Sequence, residues 1–325
     1  MFSRVCIFCI SCKQSTPLHP RGGLRGVPLR LPESLRSESK GKTTAATLDG
    51  ETTATLGTRG GTGGDILSTT VDVGYDAAPD YEKIVALKPD VVLTYAVSGA
   101  KSPFVTKLTQ LGIKVFIVNE HLESHPLARA SYIRLFGALT GKMAEADSIL
   151  ADVKADYNAL RDEVRKLHAP GRKVLLNIPY NDQWFVPSRD SYLTSLVHDA
   201  GGEVLGCEEG RAASSVMPVE KAYALSKDAD CWLNVGWCTT LPQLLDVNPV
   251  FGDMVANIRD NALKLGYGSY PVVWNDNKRV NRKGGNDIWQ SGVARPDVLL
   301  RDLIKVLHPD RQGEALETTY YRPII

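Results

Sequence analysis

Tyr81-Glu82-Lys83-Ile84-Val85-Ala86-Leu87-Lys88-Pro89-Asp90-Val91-Val92-Leu93 is the stretch from which the fold can be worked out. Its first half reads as a short helix that Pro89 brings to a stop. Its second half, continuing through Thr94 and Tyr95, is apolar and β-branched, as a strand buried on both faces of a parallel sheet would be. Further along, residues 105–111 read as a helix with Gly112 past its end. Residues 114–118 read as a second buried strand, and 126–139 as another helix closed by Thr140-Gly141. This alternation predicts an α/β lobe with a parallel sheet over residues 70–142.

Residues 143–167 read as one long helix. Ala146, Ile149, Leu150, Val153, Tyr157, Leu160, Val164 and Leu167 recur at spacings of three and four and make a single apolar stripe between mostly charged neighbours. Some 25 helical residues span about 37 Å, enough for a spine joining two lobes. Beyond it the alternation resumes: strands at 173–178 and 231–235, a third at 272–274, helices at 191–200, 219–227 and 249–257, and an amphipathic closing helix at 297–307 before His308-Pro309. Residues 168–325 are therefore expected to form a second α/β lobe.

The 325 residues are 43% hydrophobic and 23% charged, an ordinary globular balance, and 38 basic against 37 acidic side chains leave a net charge of +1. That balance gives no electrostatic case for nucleic acid. No run reaches the roughly 18 apolar residues of a membrane span. Residues 1–12 have the outline of an export signal: Arg4, the short apolar run 5–10, then Ser11-Cys12, a small residue before a cysteine that a lipid anchor would use. The spacing of Cys6, Cys9 and Cys12 suits a metal, but no further Cys or His follows nearby to close a tetrahedral site. Residues 13–69 are rich in Pro, Arg, Ser, Thr and Gly and read as linker or disorder. The glycines at 60–64 lack the preceding strand and following helix of a phosphate loop.

Val219-Glu220-Lys221-Ala222-Tyr223-Ala224-Leu225-Ser226-Lys227-Asp228-Ala229-Asp230-Cys231-Trp232-Leu233 repeats the opening stretch in kind, helix then strand with a Glu near the helix start. Two such units around a long helix resemble the helical-backbone solute-binding proteins of ABC importers, the family of cobalamin, ferric-siderophore and haem binders. The 82–93 stretch is the most specific part of the likeness. Leu111-Gly112-Ile113-Lys114-Val115-Phe116-Ile117-Val118 resembles the family's next strand. Asn286-Asp287-Ile288-Trp289 with Ser291-Gly292-Val293-Ala294-Arg295-Pro296 resembles its second-lobe ligand loop and final helix. The resemblance covers residues 71–309. It departs at the front, where the family's opening strand, Ser/Thr-rich turn and helix are not found in 13–69; either that region has diverged or the gene start is disturbed, and the first lobe is left short of strands.

The resemblance implies two Rossmann-like lobes on one spine helix, with no enzymatic activity, no catalytic residue, no cofactor and no resident metal. It implies a monomeric periplasmic protein, membrane-anchored if Cys12 is lipidated, that delivers an iron chelate, haem or corrinoid to a permease and its ATPase. Glu82 and Glu220 stand where the family docks its permease; a first-turn carboxylate suits the helix dipole and bidentate arginine. Ligand is expected in the cleft at the C-terminal ends of the strands. The candidates there are Tyr75, Tyr95, Trp184, Phe185, Trp237 and Trp289, aromatic area suited to a flat macrocycle, and Arg295 for ligand carboxylates. Trp232, inside an apolar strand, is assigned to core.

Two rival classes share features of this sequence. A zinc or manganese solute-binder shares the spine architecture and needs several His, Asp or Glu ligands; His121, Glu123 and His125 are the nearest cluster. An α/β enzyme handling a metal cofactor needs a nucleophile with its base, and neither a Gly-x-Ser-x-Gly elbow, a His-Glu-x-x-His pair nor a P-loop occurs.

Overall fold

The structure is a computed structural model describing residues 8–10, 53–55, 70–75, 78–94, 102–167, 171–180, 182–208, 214–280, 285–311 and 317–325. The chain divides into two compact units, the first Met1–Asn119 with Arg134–Ala146, the second Glu120–Ile133 with Asp147–Ile325.

In the first unit β1 (Phe8–Ile10), β2 (Thr53–Thr55), β3 (Thr70–Asp72), β4 (Gly74–Tyr75) and β5 (Ala78–Pro79) precede α1 (Tyr81–Leu87). β2 pairs antiparallel with β3, and β4 with β5. The backbone N–H of Lys83 donates to the Asp80 side chain at 3.0 Å, which caps α1. At the other end Lys88 takes a left-handed φ of 47°, and Pro89 prevents continuation. β6 (Val91–Thr94), α2 (Pro103–Gln110) and β7 (Val115–Ile117) follow. β6 and β7 are parallel, Val92 opposite Val115, while β1 lies antiparallel on the other edge of β6. Ile84, Val92, Phe104 and Leu108 form the buried core with Val73. The strands β1 and β2 fall within 1–12 and 13–69, stretches whose composition reads as leader and linker.

Next come α3 (Pro126–Ala130), α4 (Ile133–Thr140) and α5 (Met143–Arg165), the last a continuous helix of 23 residues. Ala146, Leu150, Val153, Tyr157 and Val164 are buried along it, which is the stripe expected from the sequence. The chain passes from one unit to the other three times, and the last passage, between Ala146 and Asp147, falls inside α5.

The second unit is built on β8 (Arg172–Leu176), β9 (Trp184–Val186), α6 (Tyr192–Asp199), β10 (Gly202–Val204), β11 (Ser215–Met217), α7 (Val219–Ser226), β12 (Cys231–Leu233), α8 (Leu241–Val247), α9 (Phe251–Lys264), β13 (Val273–Asn275), α10 (Ser291–Ala294), α11 (Pro296–Leu307) and β14 (Arg322–Pro323). Its main sheet has the order β10-β8-β12-β13-β14. The first four strands are parallel and β14 closes the edge antiparallel. Alternate strand residues face opposite sides. Val174, Leu176, Cys231, Leu233 and Trp274 join a core with Tyr157, Leu196 and Leu303. Leu175, Trp232 and Val273 join another with Ala222, Phe251 and Ile258. A sheet apolar on both faces and covered on both is the doubly wound arrangement expected of parallel strands. Arg172, at the start of β8, and Asp230, just before β12, form a buried ion pair whose side chains are each 3% exposed. Among the described residues no helix is long and apolar enough to cross a membrane.

Candidate functional site

Three neighbouring parallel strands of the second unit end on polar residues in unusual surroundings. β8 runs into Asn177 and β12 into Asn234, with left-handed φ of 69° and 63° that asparagine tolerates better than most side chains. β13 ends on Asn275 and leads into Asp276, both buried. The amide of Asn275 donates to the carbonyls of Gly236 (2.9 Å) and Cys238 (2.7 Å), and that of Asn277 also reaches Cys238 (3.2 Å). These bonds fix the turn that carries Trp237. The Asn177 amide donates to Phe185 O at 2.8 Å and secures the loop that carries Tyr180.

The following loop is tied as firmly. Asn286 donates to the Asp276 carboxylate at 3.2 Å and accepts from the backbone of Ile288 at 3.2 Å. Asp287 accepts from Arg279 at 2.7 Å and from the Ser291 hydroxyl at 2.6 Å. Held by these, Trp289 is 53% exposed, Trp237 is 66% exposed and Tyr180 is 46% exposed. Large rings left this open on well-tethered loops are the features of the unit that ask for an explanation. Burial pushes the Asp276 carboxyl up to about 6, against the pull of the Asn286 amide.

The residues singled out in the sequence fare differently. Trp237 and Trp289 lie in this group. Trp184 does not: it is fully buried, stacked on Trp232 at 5.8 Å and edge-on to Phe251 at 5.9 Å, and its indole N–H donates to Leu176 O at 2.8 Å. The polar residues before it mark a turn, but Trp184 opens β9 and its alternation points inward, so the expected ligand contact is a core residue. Phe185, next in that strand and paired with Val216, is half-buried. Arg295 is engaged as well. Its guanidinium makes a two-pronged bond to Asp297, 2.8 Å and 2.5 Å, and Asp297 is fully buried and needs that charge. The pairing raises the Arg295 pKa further and commits the side chain locally. Tyr75 is placed by its backbone alone, in β4. Tyr95 and Cys12 lie outside the described residues.

Glu82 and Glu220 are both exposed and both occupy the first turn of a short helix, α1 and α7. His125 accepts from the backbone of Leu127 and caps α3, and Glu123 accepts from the Tyr132 hydroxyl at 3.3 Å. Among the described residues no three His, Cys, Asp or Glu side chains are grouped to hold a metal. Sequence reading missed Tyr180, Asn234 and Asp276. The signal was available only as a polar or aromatic residue directly after each apolar strand.

Comparison with known proteins narrows what such a site belongs to. An uncharacterized lipoprotein of Methanocaldococcus jannaschii is 28% identical over 247 residues, 74% of this chain and 53% of that protein. The iron-uptake system-binding protein of Bacillus subtilis is 23% identical over 166 residues, 50% of each. The chain thus spans about half the length of these curated relatives. Among solved structures, an ABC transporter substrate-binding protein from Listeria monocytogenes aligns with a TM-score of 0.52 at 18% identity, covering 74% of this chain and 84% of that one. A periplasmic heme binding protein from Pseudomonas aeruginosa aligns at 0.53 and 16% identity, covering 78% and 83%. The relatives whose names state a role are binding components of transport systems and not enzymes. The periplasmic binding protein family model matches residues 45–261, starting inside the stretch that reads as linker, and the chain belongs to that family.

Proposed function

We propose that this protein is the substrate-binding component of an ABC importer, that it captures an iron chelate, haem or corrinoid-type ligand, and that it hands the ligand to a permease coupled to an ATPase. The observation that carries the ligand class is the set of exposed rings Tyr180, Trp237 and Trp289, on tethered loops leaving the C-terminal ends of parallel strands. Ligands of doubly wound sheets bind at that edge. Rings held open there offer apolar area at little entropic cost to a flat or ring-bearing ligand. Membership of the family supports the transport role, and the name of the Bacillus relative is in keeping with iron. Phe185, Tyr75 and Tyr95 remain proposed contributors, the first as the half-buried neighbour of the Asn177 loop.

A thermal-shift screen of the full chain with haemin, ferric siderophores and corrinoids is expected to give at least one saturable rise in Tm. Replacing Trp237 and Trp289 together by alanine is expected to weaken that ligand by about 2–4 kcal/mol while leaving the unliganded Tm within a few degrees, since both rings are exposed. A double variant that binds as tightly as the parent would remove the aromatic face from the reading.

Glu82 and Glu220 are proposed as the docking carboxylates for permease arginines, being exposed and equivalent in their helices. Reversal of both, Glu82→Arg with Glu220→Arg, is expected to abolish uptake with ligand affinity unchanged. A matching fall in affinity would show that the two residues act on ligand instead. Export with lipid attachment at Cys12 completes the proposal and accords with the lipoprotein name of the archaeal relative.

A further inference from the structure

The C-terminal segment reaches the loop that presents Trp289 through one chain of hydrogen bonds. Trp289 sits between Asp287 and Ser291, and those two side chains are joined across it, the Ser291 hydroxyl donating to the Asp287 carboxylate at 2.6 Å. The same carboxylate oxygen accepts from the Arg279 guanidinium at 2.7 Å. On its other side the Ser291 hydroxyl lies 2.8 Å from that of Tyr320, 29 residues along the chain. A serine hydroxyl has one proton, and a carboxylate paired with arginine only accepts. The proton of Ser291 therefore goes to Asp287, and Tyr320 is the donor to Ser291. The chain has one direction, from Tyr320 through Ser291 to Asp287, and its last bond is charge-assisted. Tyr320 is itself anchored. It is 2% exposed and shares a core with Leu300 and Leu303 of α11. Its backbone N–H donates to the Asp302 carboxylate at 2.6 Å, and its carbonyl accepts from the backbone of Lys278 at 3.0 Å. Ile288, directly before Trp289, is buried in that same core.

We propose that Tyr320 and Ser291 are positioning residues for ligand capture: their hydroxyl chain keeps the Asp287–Ser291 clasp closed and so holds the Trp289 ring in one presented orientation. The backbone of this turn is a short 3-10 stretch, Asp287–Trp289, a geometry with poor hydrogen bonds. Its Trp289 N–H donates to Asn286 O at 3.4 Å, a long bond, and Gln290 N–H to Asp287 O at 2.9 Å. The side-chain clasp supplies what the backbone lacks. Phenylalanine at position 320 would fill the same buried space, so packing does not call for the hydroxyl; the link to Ser291 does. A ring ordered before ligand arrives loses less freedom on binding and binds more tightly. The inference rests on the importer reading, in which Trp289 meets ligand, and adds two residues that act through that ring.

The test labels the full chain with 5-fluorotryptophan and follows its five indoles by fluorine NMR, the Trp289 signal being assigned by its loss in Trp289→Phe. Tyr320→Phe is expected to shift the Trp289 signal or broaden it about twofold, with the signals of Trp184, Trp232 and Trp237 unmoved. In a Ser291→Ala background the same change at Tyr320 should have no further effect on Trp289, because the chain is already cut. An unmoved Trp289 signal in Tyr320→Phe overturns the proposal. So does an equal effect of Tyr320→Phe in both backgrounds, or an equal shift of Trp184, Trp232 and Trp237, which is general loosening. Ser291→Ala reports separately through haemin, titrated at its Soret band. Affinity should fall about two- to fivefold, and not at all when Trp289→Ala is already present. An equal fall in both backgrounds overturns action through the ring. Haemin bound by neither parent nor variants counts against the ligand reading, and the fluorine spectra then decide the hydroxyl chain by themselves.

Discussion

Asp230→Ala is expected to destabilise the second unit by about 3–5 kcal/mol, because it strands a buried guanidinium. Arg172 bonds the Asp230 carboxylate, the backbone carbonyl of Asp230 at 2.8 Å and that of Leu307 at 3.2 Å, and its guanidinium lies 4.3 Å from the centroid of the Tyr267 ring. The other oxygen of Asp230 accepts from the backbone of Lys173 at 2.9 Å. One ion pair thus joins β8, the lead into β12, the end of α11 and the segment after α9. With both side chains almost wholly buried, no solvent screens the loss. Thermal unfolding should show a Tm lower by roughly 10 °C or more. The double change Arg172→Met with Asp230→Leu should cost less than Asp230→Ala alone, since two apolar groups leave no charge behind. A loss below about 1 kcal/mol in the single variant would mean that water reaches the pair, and the double variant would then lose its advantage.

Asp276→Asn should act in the opposite direction at neutral pH. The folded-state carboxyl titrates near 6 against an ordinary value of 3.8, a rise caused by burial. A raised acid favours the folded protein below the unfolded value, where both states hold the proton. That contribution is lost as pH climbs through the folded value, because the folded state surrenders a proton it held more tightly. Over pH 4 to 6 the loss attributable to this group amounts to about 2 kcal/mol. Asparagine has the same shape and no charge, so the advantage of the variant over the parent should be small near pH 4 and larger by about 2 kcal/mol at pH 7.5. Parallel denaturation curves with the same offset at both pH values would show that the carboxyl ionises unhindered.

Much of the architecture could be read from spacing. The 81–93 stretch places a helix and a strand because a proline and a β-branched run leave little alternative. The stripe on α5 is legible because a 3.6-residue period over more than 20 positions has few other causes. The candidate site was only half legible. Trp237 and Trp289 stand out as rings among polar neighbours, but Trp184 has the same local context and is core, since its orientation depends on which residue begins β9. Arg295 looked available until its partner two residues on proved to be buried. Asn234 and Asp276 gave no pattern at all: each is one polar residue after an apolar strand, and only the parallel order of β12 and β13 brings them together. The front of the chain was the least legible, because short strands such as Thr53–Thr55 lack the length over which alternation can be recognised.

β14 shields a border of the second unit's sheet. It covers the free edge of β13, Ile324 donates to Val273 O at 2.9 Å, and Asp302 gathers the backbone N–H groups of Thr319, Tyr320 and Tyr321. Until the 317–325 segment docks, β13 has an unpaired border and Asp302 a carboxylate without these donors. Loss of that segment would therefore bare a strand edge on which a foreign strand could add.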